Sequence, residues 1–177
     1  MPRRYYRSRT RVIRPKKKWA SNFKEIYSPT ISVTNGTPGG WVDTLVENSN
    51  QSSNPTPVIV KAGNFKIQGD CAISTGVTTP VLAVTVYVIF APEGITVASG
   101  SDVQSLVAAH PEYVMAWRTL DTAGGQGAIA GFSFSSRLKR NLNSGDKILL
   151  MASCTTSATS AITLRMHAMA QFWTCAN

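Results

Sequence analysis

Apolar and polar residues alternate with a period of two along much of the chain from residue 23 onward, which is the spacing of a β-strand with one buried face. Residues 162–173 show the alternation well, because Ile162, Leu164 and Met166 share one face while Arg165 and His167 fall on the other. About eight such segments are predicted, at 23–34, 41–47, 58–73, 81–90, 113–120, 129–138, 147–154 and 162–173.

Two of these segments depart from simple alternation. Residues 81–90 are nearly all apolar, rich in β-branched and aromatic types, and bounded by prolines, which predicts a strand buried on both faces or nearly so. Residues 58–73 are strand-like but contain Gly63 and Gly69, and we expect both glycines to interrupt the strand.

One helix is predicted between two of the strands. Ser101 to Gln104 has the S-x-x-Q capping pattern, Val103, Leu106 and Val107 follow at helical spacing, and Pro111 ends the segment. A single short helix in a loop does not make a β-α-β unit. The pattern therefore predicts an all-β chain, an eight-stranded antiparallel jelly roll with one short helix in a loop.

Charge divides the chain into two parts. The first 18 residues hold nine of the 18 basic residues and no acidic one, which leaves nine basic and nine acidic residues in 19–177. We therefore expect a basic nucleic-acid-binding arm at 1–19 and one folded domain at 20–177. A nuclear localisation signal or a solubility tail are the alternatives.

The arm combines phosphate-neutralising cations with aromatic rings that can stack on unpaired bases. The candidate nucleic-acid-binding residues are Arg3, Arg4, Tyr5, Tyr6, Arg7, Arg9, Arg11, Arg14, Lys16, Lys17, Lys18 and Trp19.

The sequence predicts no catalytic residue, no metal site and no cofactor. The three cysteines are widely spaced and form no C-x-x-C, so neither a disulfide framework nor a zinc site is indicated. The two histidines, His110 and His167, have no second histidine or carboxylate at ligand spacing, and a Cys154–His167 nucleophile pair has no local signature. Membrane insertion is not expected, since the longest apolar run, 81–92, is too short to cross a bilayer.

Three segments carry a resemblance to a known family. YVIFAPEG at 87–94 resembles the strand and PEG turn of the capsid proteins of small circular single-stranded DNA viruses that encode a replication initiator, the circovirus-like group. RLKRNLNSGDKILLM at 137–151 resembles their strand-turn-strand segment, and HPEYVMAWR at 110–118 is similar in kind to the segment between them.

The resemblance implies a jelly roll that assembles into a small icosahedral shell, with T=1 symmetry and about sixty copies, and with the arm inside on a single-stranded DNA genome. It also implies a virion protein that passes through the host nucleus, with host import factors as possible partners. A coat protein of a small RNA virus is an alternative, because phosphates and stacking do not separate RNA from DNA. A ribosomal or chromatin-type protein with a basic tail is another, although its body would usually be basic too. An enzyme would need a reactive cluster that the sequence does not offer.

Overall fold

The computed structural model describes residues 18–49, 58–75, 82–97, 101–120 and 129–176. Almost all of the regular structure in this part of the chain is β-strand. The strands are β1 (Ala20–Tyr27), β2 (Ile31–Val33), β3 (Gly39–Glu47), β4 (Val60–Thr75), β5 (Leu82–Ala91), β6 (Val114–Leu120), β7 (Ile129–Leu142), β8 (Lys147–Thr156) and β9 (Ile162–Ala176). The helix α1 (Ser101–Ala109) and a single 3₁₀ turn (Pro111–Tyr113) lie between β5 and β6.

The strands form two antiparallel sheets. In the first sheet the order is β1-β9-β4-β7, and β2 also pairs with β9, so that β1 and β2 together run along β9 as one interrupted strand. In the second sheet the order is β3-β8-β5-β6. With β1 and β2 counted as one, eight strands form the two sheets in jelly-roll order, and successive strands change sheet except at β5 and β6, which pair with each other. The predicted fold class is therefore confirmed.

The core lies between the two sheets and is built from every second residue of the strands. Ile67, Leu150 and Leu164 are among its fully buried side chains. At the β1–β3 edge the sheets are also tied by charge, because the ammonium of Lys24 contacts both the carboxylate of Asp43 and the carbonyl of Thr44. The inward positions predicted for the last strand, from Ile162 to Phe172, are all buried.

The helix α1 covers part of the outward face of the second sheet. Val103 on its inner side joins a second apolar cluster with Ile89 and Ala91 of β5 and with Leu149 and Met151 of β8. The prediction that 81–90 is buried on both faces therefore holds only for the half of β5 next to this cluster, since Ala83 in the other half is exposed. No helix in the described ranges combines the length and apolar character needed to cross a bilayer.

The two glycines of β4 behave differently. The pairing register shifts between Gly63 and Phe65, and Asn64 takes a left-handed backbone with φ 55°, so a bulge interrupts the pairing at Gly63 although the strand itself continues. Gly69 does not interrupt the strand, and this prediction was wrong. It pairs in register with Ala168 of β9, and its missing Cβ admits a close approach, because a Cβ there would lie 2.1 Å from the carbonyl oxygen of His167.

Candidate nucleic-acid interface

Trp19 is the last residue of the predicted arm and directly precedes β1. The predicted arm residues from Arg3 to Lys17 lie outside the described residues, whereas Lys18 and Trp19 are described and exposed. The Trp19 ring is 36% exposed, and the Nζ of Lys139 lies 5.3 Å from its centroid, which is a cation–π contact. Since β1 and β7 are opposite edges of the first sheet, this contact carries the end of the arm across the outward face of the sheet.

A second cation–π pair lies at the same end of this face. The Nζ of Lys66 on β4 is 5.7 Å from the ring of Trp173 on β9. The strand register explains the proximity of the two pairs, because Gly63 is paired with Lys139 on one side and with Trp173 on the other. Arg137 adds a further cation and lines a hollow with Lys66 and Trp173. We call these five residues the arm-root cluster: Trp19, Lys66, Arg137, Lys139 and Trp173.

The arm-root cluster has three cations, Lys66, Arg137 and Lys139, and no carboxylate. None of the ion pairs between described residues involves one of its three cations. Among the described residues, the outward face has two carboxylates, Glu25 and Asp70, and both lie further along the strands and contact His167. Cations and aromatic rings without nearby carboxylates are the groups that hold the phosphates and bases of a single strand.

His167 lies between two carboxylates that the sequence pattern did not reveal. Its Nε2 is 3.0 Å from Glu25 Oε1, its Nδ1 is 3.5 Å from Asp70 Oδ2, and the Tyr27 ring stacks on the imidazole at 4.5 Å. Two hydrogen bonds lower the pKa of Glu25. The larger effect comes from the one that the Tyr27 hydroxyl donates, and the smaller from the one with His167. Glu25 in turn raises the pKa of Tyr27 through that same hydrogen bond.

Strand pairing alone could have indicated this group. Tyr27 and Asp70 are both paired in register with His167, on the two strands that flank β9. Glu25 lies two residues before Tyr27 and therefore has the same outward orientation. The residues are far apart in the sequence, so spacing within a segment gave no signal.

The structure does not bring together Cys154 and His167, the nucleophile pair considered from the sequence. Cys154 is buried in the core on β8 of the second sheet, whereas His167 is on the outward face of the first sheet, so the two do not form a nucleophile pair. Burial raises the pKa of the Cys154 thiol to about 12, which keeps it protonated. His110 is solvent-accessible, 3.1 Å from Glu112 Oε1 and stacked on Tyr113. Within the described ranges no group of three or more His, Cys, Asp or Glu is placed to hold a metal ion.

Two of the segments that carried the family resemblance contact each other. Asp146, in the turn between β7 and β8, accepts a hydrogen bond at 3.0 Å from the backbone N–H of Glu93 in the PEG turn. Its other oxygen accepts one at 2.8 Å from the N–H of Asn143 within its own turn. Gly145 has φ 82°, and a Cβ there would lie 2.6 Å from Glu93 Cγ, so the turn needs glycine at this position.

Comparison with known proteins gives likeness at the level of structure only. No protein-family model matches the chain, and no curated protein matches it. The infectious bursal disease virus VP2 subviral particle is similar at 14% identity and TM-score 0.40, over 86% of this chain and 32% of that chain.

Two further structures from the same virus are also similar. The structure of the Gx strain has 13% identity and a TM-score of 0.36, over 90% of this chain and 32% of that chain. The structure of the derived T=1 particles has 13% identity and a TM-score of 0.30, over 92% of this chain and 36% of that chain. The chain therefore spans about a third of the length of the chains it matches.

Proposed function

We propose that the protein is a viral capsid protein that self-assembles into a small icosahedral shell and packages a single-stranded genome through its basic N-terminal arm. The observation that carries the proposal is the separation of charge. Nine cations precede Trp19, the remaining 159 residues have no net charge, and the junction is the arm-root cluster on one face of a jelly roll. The arm neutralises phosphates, and the bodies of different copies, which have no net charge, can pack against one another.

The neutral body favours assembly over the rival classes. Subunits that pack side by side in a shell would repel one another if each body had a large charge of one sign. A ribosomal or chromatin-type protein, by contrast, gains from basic residues spread over its folded surface. Here the body has nine cations and nine carboxylates. The jelly roll is an architecture used by viral capsid domains, as well as by lectins and cupins.

The resemblance in 87–94 and 137–151 supports single-stranded DNA as the genome, and with it a T=1 shell of about sixty copies, a virion location and passage through the host nucleus. Single-stranded RNA is the alternative, because neutralised phosphates and stacked bases are common to both polymers. Discrimination needs contacts to the 2′-hydroxyl. The proposal assigns a structural role without catalysis, and the Lys and Arg of the arm could also serve as a nuclear import signal.

Deletion of residues 2–18 tests the proposal. We expect the full chain to form uniform shells that protect nucleic acid from nuclease, and the deletion variant to keep its β-type circular dichroism but to protect none. The fold should survive, because the buried residues extend from Ile26 to Cys175. Digestion of the protected material with DNase or with RNase identifies the genome. Equal protection by the deletion variant, or absence of particles from the full chain, would contradict the proposal.

A further inference from the structure

We infer that the outward face of the first sheet is itself a binding surface for single-stranded nucleic acid, which continues from the arm-root cluster to Phe23. This inference rests on the proposed function and extends it from the arm to the folded body. Lys66, Lys139, Trp19 and Trp173 form one end of the surface, and the exposed Phe23 ring lies on the neighbouring edge strand.

Phe23 is the first support for this surface. Its side chain is 66% exposed, although phenylalanine is usually buried. Trp19, Phe23 and Tyr27 follow one another at intervals of four residues, which places Phe23 and Tyr27 on the same face of β1, about 14 Å apart. An exposed aromatic ring on an open sheet face is a platform on which any unpaired base can stack.

A groove connects Phe23 to the arm-root cluster. It has a volume of about 610 Å³, within the range of sites that hold small ligands, and it crosses from β1 to β7 over β9 and β4. The groove-lining residues that can contact a nucleotide are Phe23, Lys66, Gln68, Ser133, Ser135 and Gln171. The lysine neutralises a phosphate, while the amides and hydroxyls can hydrogen-bond to sugars, phosphates or base edges without requiring one base.

The surface ends at the His167 group. Tyr27 is 68% exposed, but its ring already stacks on His167 and its hydroxyl donates to Glu25. Glu25 and Asp70 bring negative charge there, which opposes a phosphate. Phe23 has no such aromatic or carboxylate partner among the contacts of the described residues. Tyr27 is therefore a matched control for Phe23, on the same strand and face and with nearly the same exposure.

The composition of the groove favours a polyanion over a second copy of the chain. Contacts between copies of a protein exclude charge from their centre and gather apolar side chains there. The groove places Lys66, two serines and two glutamines beside four apolar residues, Phe23, Ile67, Phe134 and Met169, so five of its nine lining residues are polar or charged. Its charge complements that of a phosphate backbone.

The test uses the full chain, kept unassembled, in salt titrations against a labelled oligothymidylate and a labelled oligouridylate. We expect Phe23→Ala to weaken binding by about 5- to 150-fold, the range for one stacked base, while Tyr27→Ala leaves binding unchanged. The double variant Lys66→Gln/Lys139→Gln should make the slope of log K against log salt shallower by about 1.4. Arg118→Gln, an exposed cation on β6 of the second sheet, should leave the slope unchanged. Equal losses for both probes indicate a phosphate-and-base surface, and a larger loss for one identifies the polymer it prefers.

Three results would overturn the inference, and they separate it from the proposed function. If Lys16, Lys17 and Lys18 set the slope but Lys66 and Lys139 do not, and Phe23→Ala binds normally, the arm alone binds and the proposed function stands. If Phe23→Ala binds normally but forms fewer particles, the face is a contact between copies. If the full chain shows no salt dependence, the proposed function fails together with the inference.

Discussion

The Nζ of Lys139 lies 5.3 Å from the centroid of the Trp19 ring, although the two residues belong to opposite edges of the same sheet. Trp19, the last residue of the predicted arm, thus contacts the opposite edge of the sheet through a pair that needs both a cation and an aromatic ring. Trp19 precedes β1 directly, and its contact with Lys139 lies on the outward face of the first sheet. In a shell whose arms contact the genome, that face would be turned toward the interior.

Replacing Lys16, Lys17 and Lys18 with glutamine isolates the charge of the arm. Each phosphate neutralised on a single strand contributes about −0.7 to the slope of log K against log salt, so the triple variant should have a slope shallower by about 2. Base preference should hardly change, because phosphate contacts do not read sequence. The measurement is a salt titration with labelled single strands of several sequences. A slope equal to that of the unmodified chain would show that these lysines do not contact phosphates.

Replacing Tyr5, Tyr6 and Trp19 with alanine isolates stacking. Binding should weaken by about 1–3 kcal/mol for each base that loses its ring, while the salt slope stays nearly constant because no charge is removed. The conservative Trp19→Phe variant is the control, since it retains a ring next to Lys139. A change in slope without a change in affinity at low salt would contradict the assignment of these rings to stacking.

Asp146 should matter to stability rather than to binding. The side chain is buried, at 6% exposure, and accepts hydrogen bonds from the backbone N–H groups of Glu93 and Asn143. Asp146→Ala should lower the free energy of unfolding by about 1–3 kcal/mol, because it removes the acceptor of two partly buried hydrogen bonds. Asp146→Asn keeps one acceptor oxygen and should cost less. Urea unfolding measures the free energy of unfolding of both variants. If the two variants lose the same amount of stability, the hydrogen bonds are not the cause of the loss.

The thiols make stability sensitive to alkaline pH. Burial raises the pKa of Cys71 to about 11 and that of Cys154 to about 12, from an ordinary value of 9.0. The unfolded chain therefore loses these protons first, and stability that is fully present below pH 9 should fall as the pH rises above it. Urea titrations from pH 8 to 10 measure the fall.

The double variant Cys71→Ala/Cys154→Ala is the control for this effect. It should show a smaller fall in stability over the same pH range, because it removes the two thiols whose pKa is raised in the folded chain. The native thiols should also react slowly with a thiol reagent at pH 8 and rapidly in denaturant. A stability profile identical to that of the unmodified chain would contradict the assignment to these cysteines.

Local pattern was sufficient for the strands because most of them are half-buried and alternate cleanly. The predicted segment 162–173 lies within β9, and 129–138 lies within β7, which continues for four more residues to Leu142. The end of β7 was missed because Lys139, Arg140 and Asn141 are three consecutive polar residues and break the alternation of apolar and polar positions. In the structure they continue the pairing with β4, and Arg140 donates to the carbonyl of Glu112.

The candidate interface depended on pairing between distant segments, which periodicity does not supply. Trp19 was predicted from its place at the end of the arm, but Lys66, Arg137, Lys139 and Trp173 were not. Their four positions come from β4, β7 and β9, and only the register of these strands brings them together. The same holds for His167, whose carboxylate partners were not visible as neighbours in the sequence.

Gly63 influences the contact between Trp19 and Lys139 although it has no side chain of its own. A Cβ there would lie 2.6 Å from Lys139 Cγ and 2.8 Å from the carbonyl oxygen of Leu138, so any larger residue would push the lysine and its strand away from Trp19. The strength with which the arm is held to the body can therefore change through one buried backbone position, with every cation and every ring retained. Under the proposed function, a substitution at Gly63 would change how readily the protein releases nucleic acid without altering the charge that binds it.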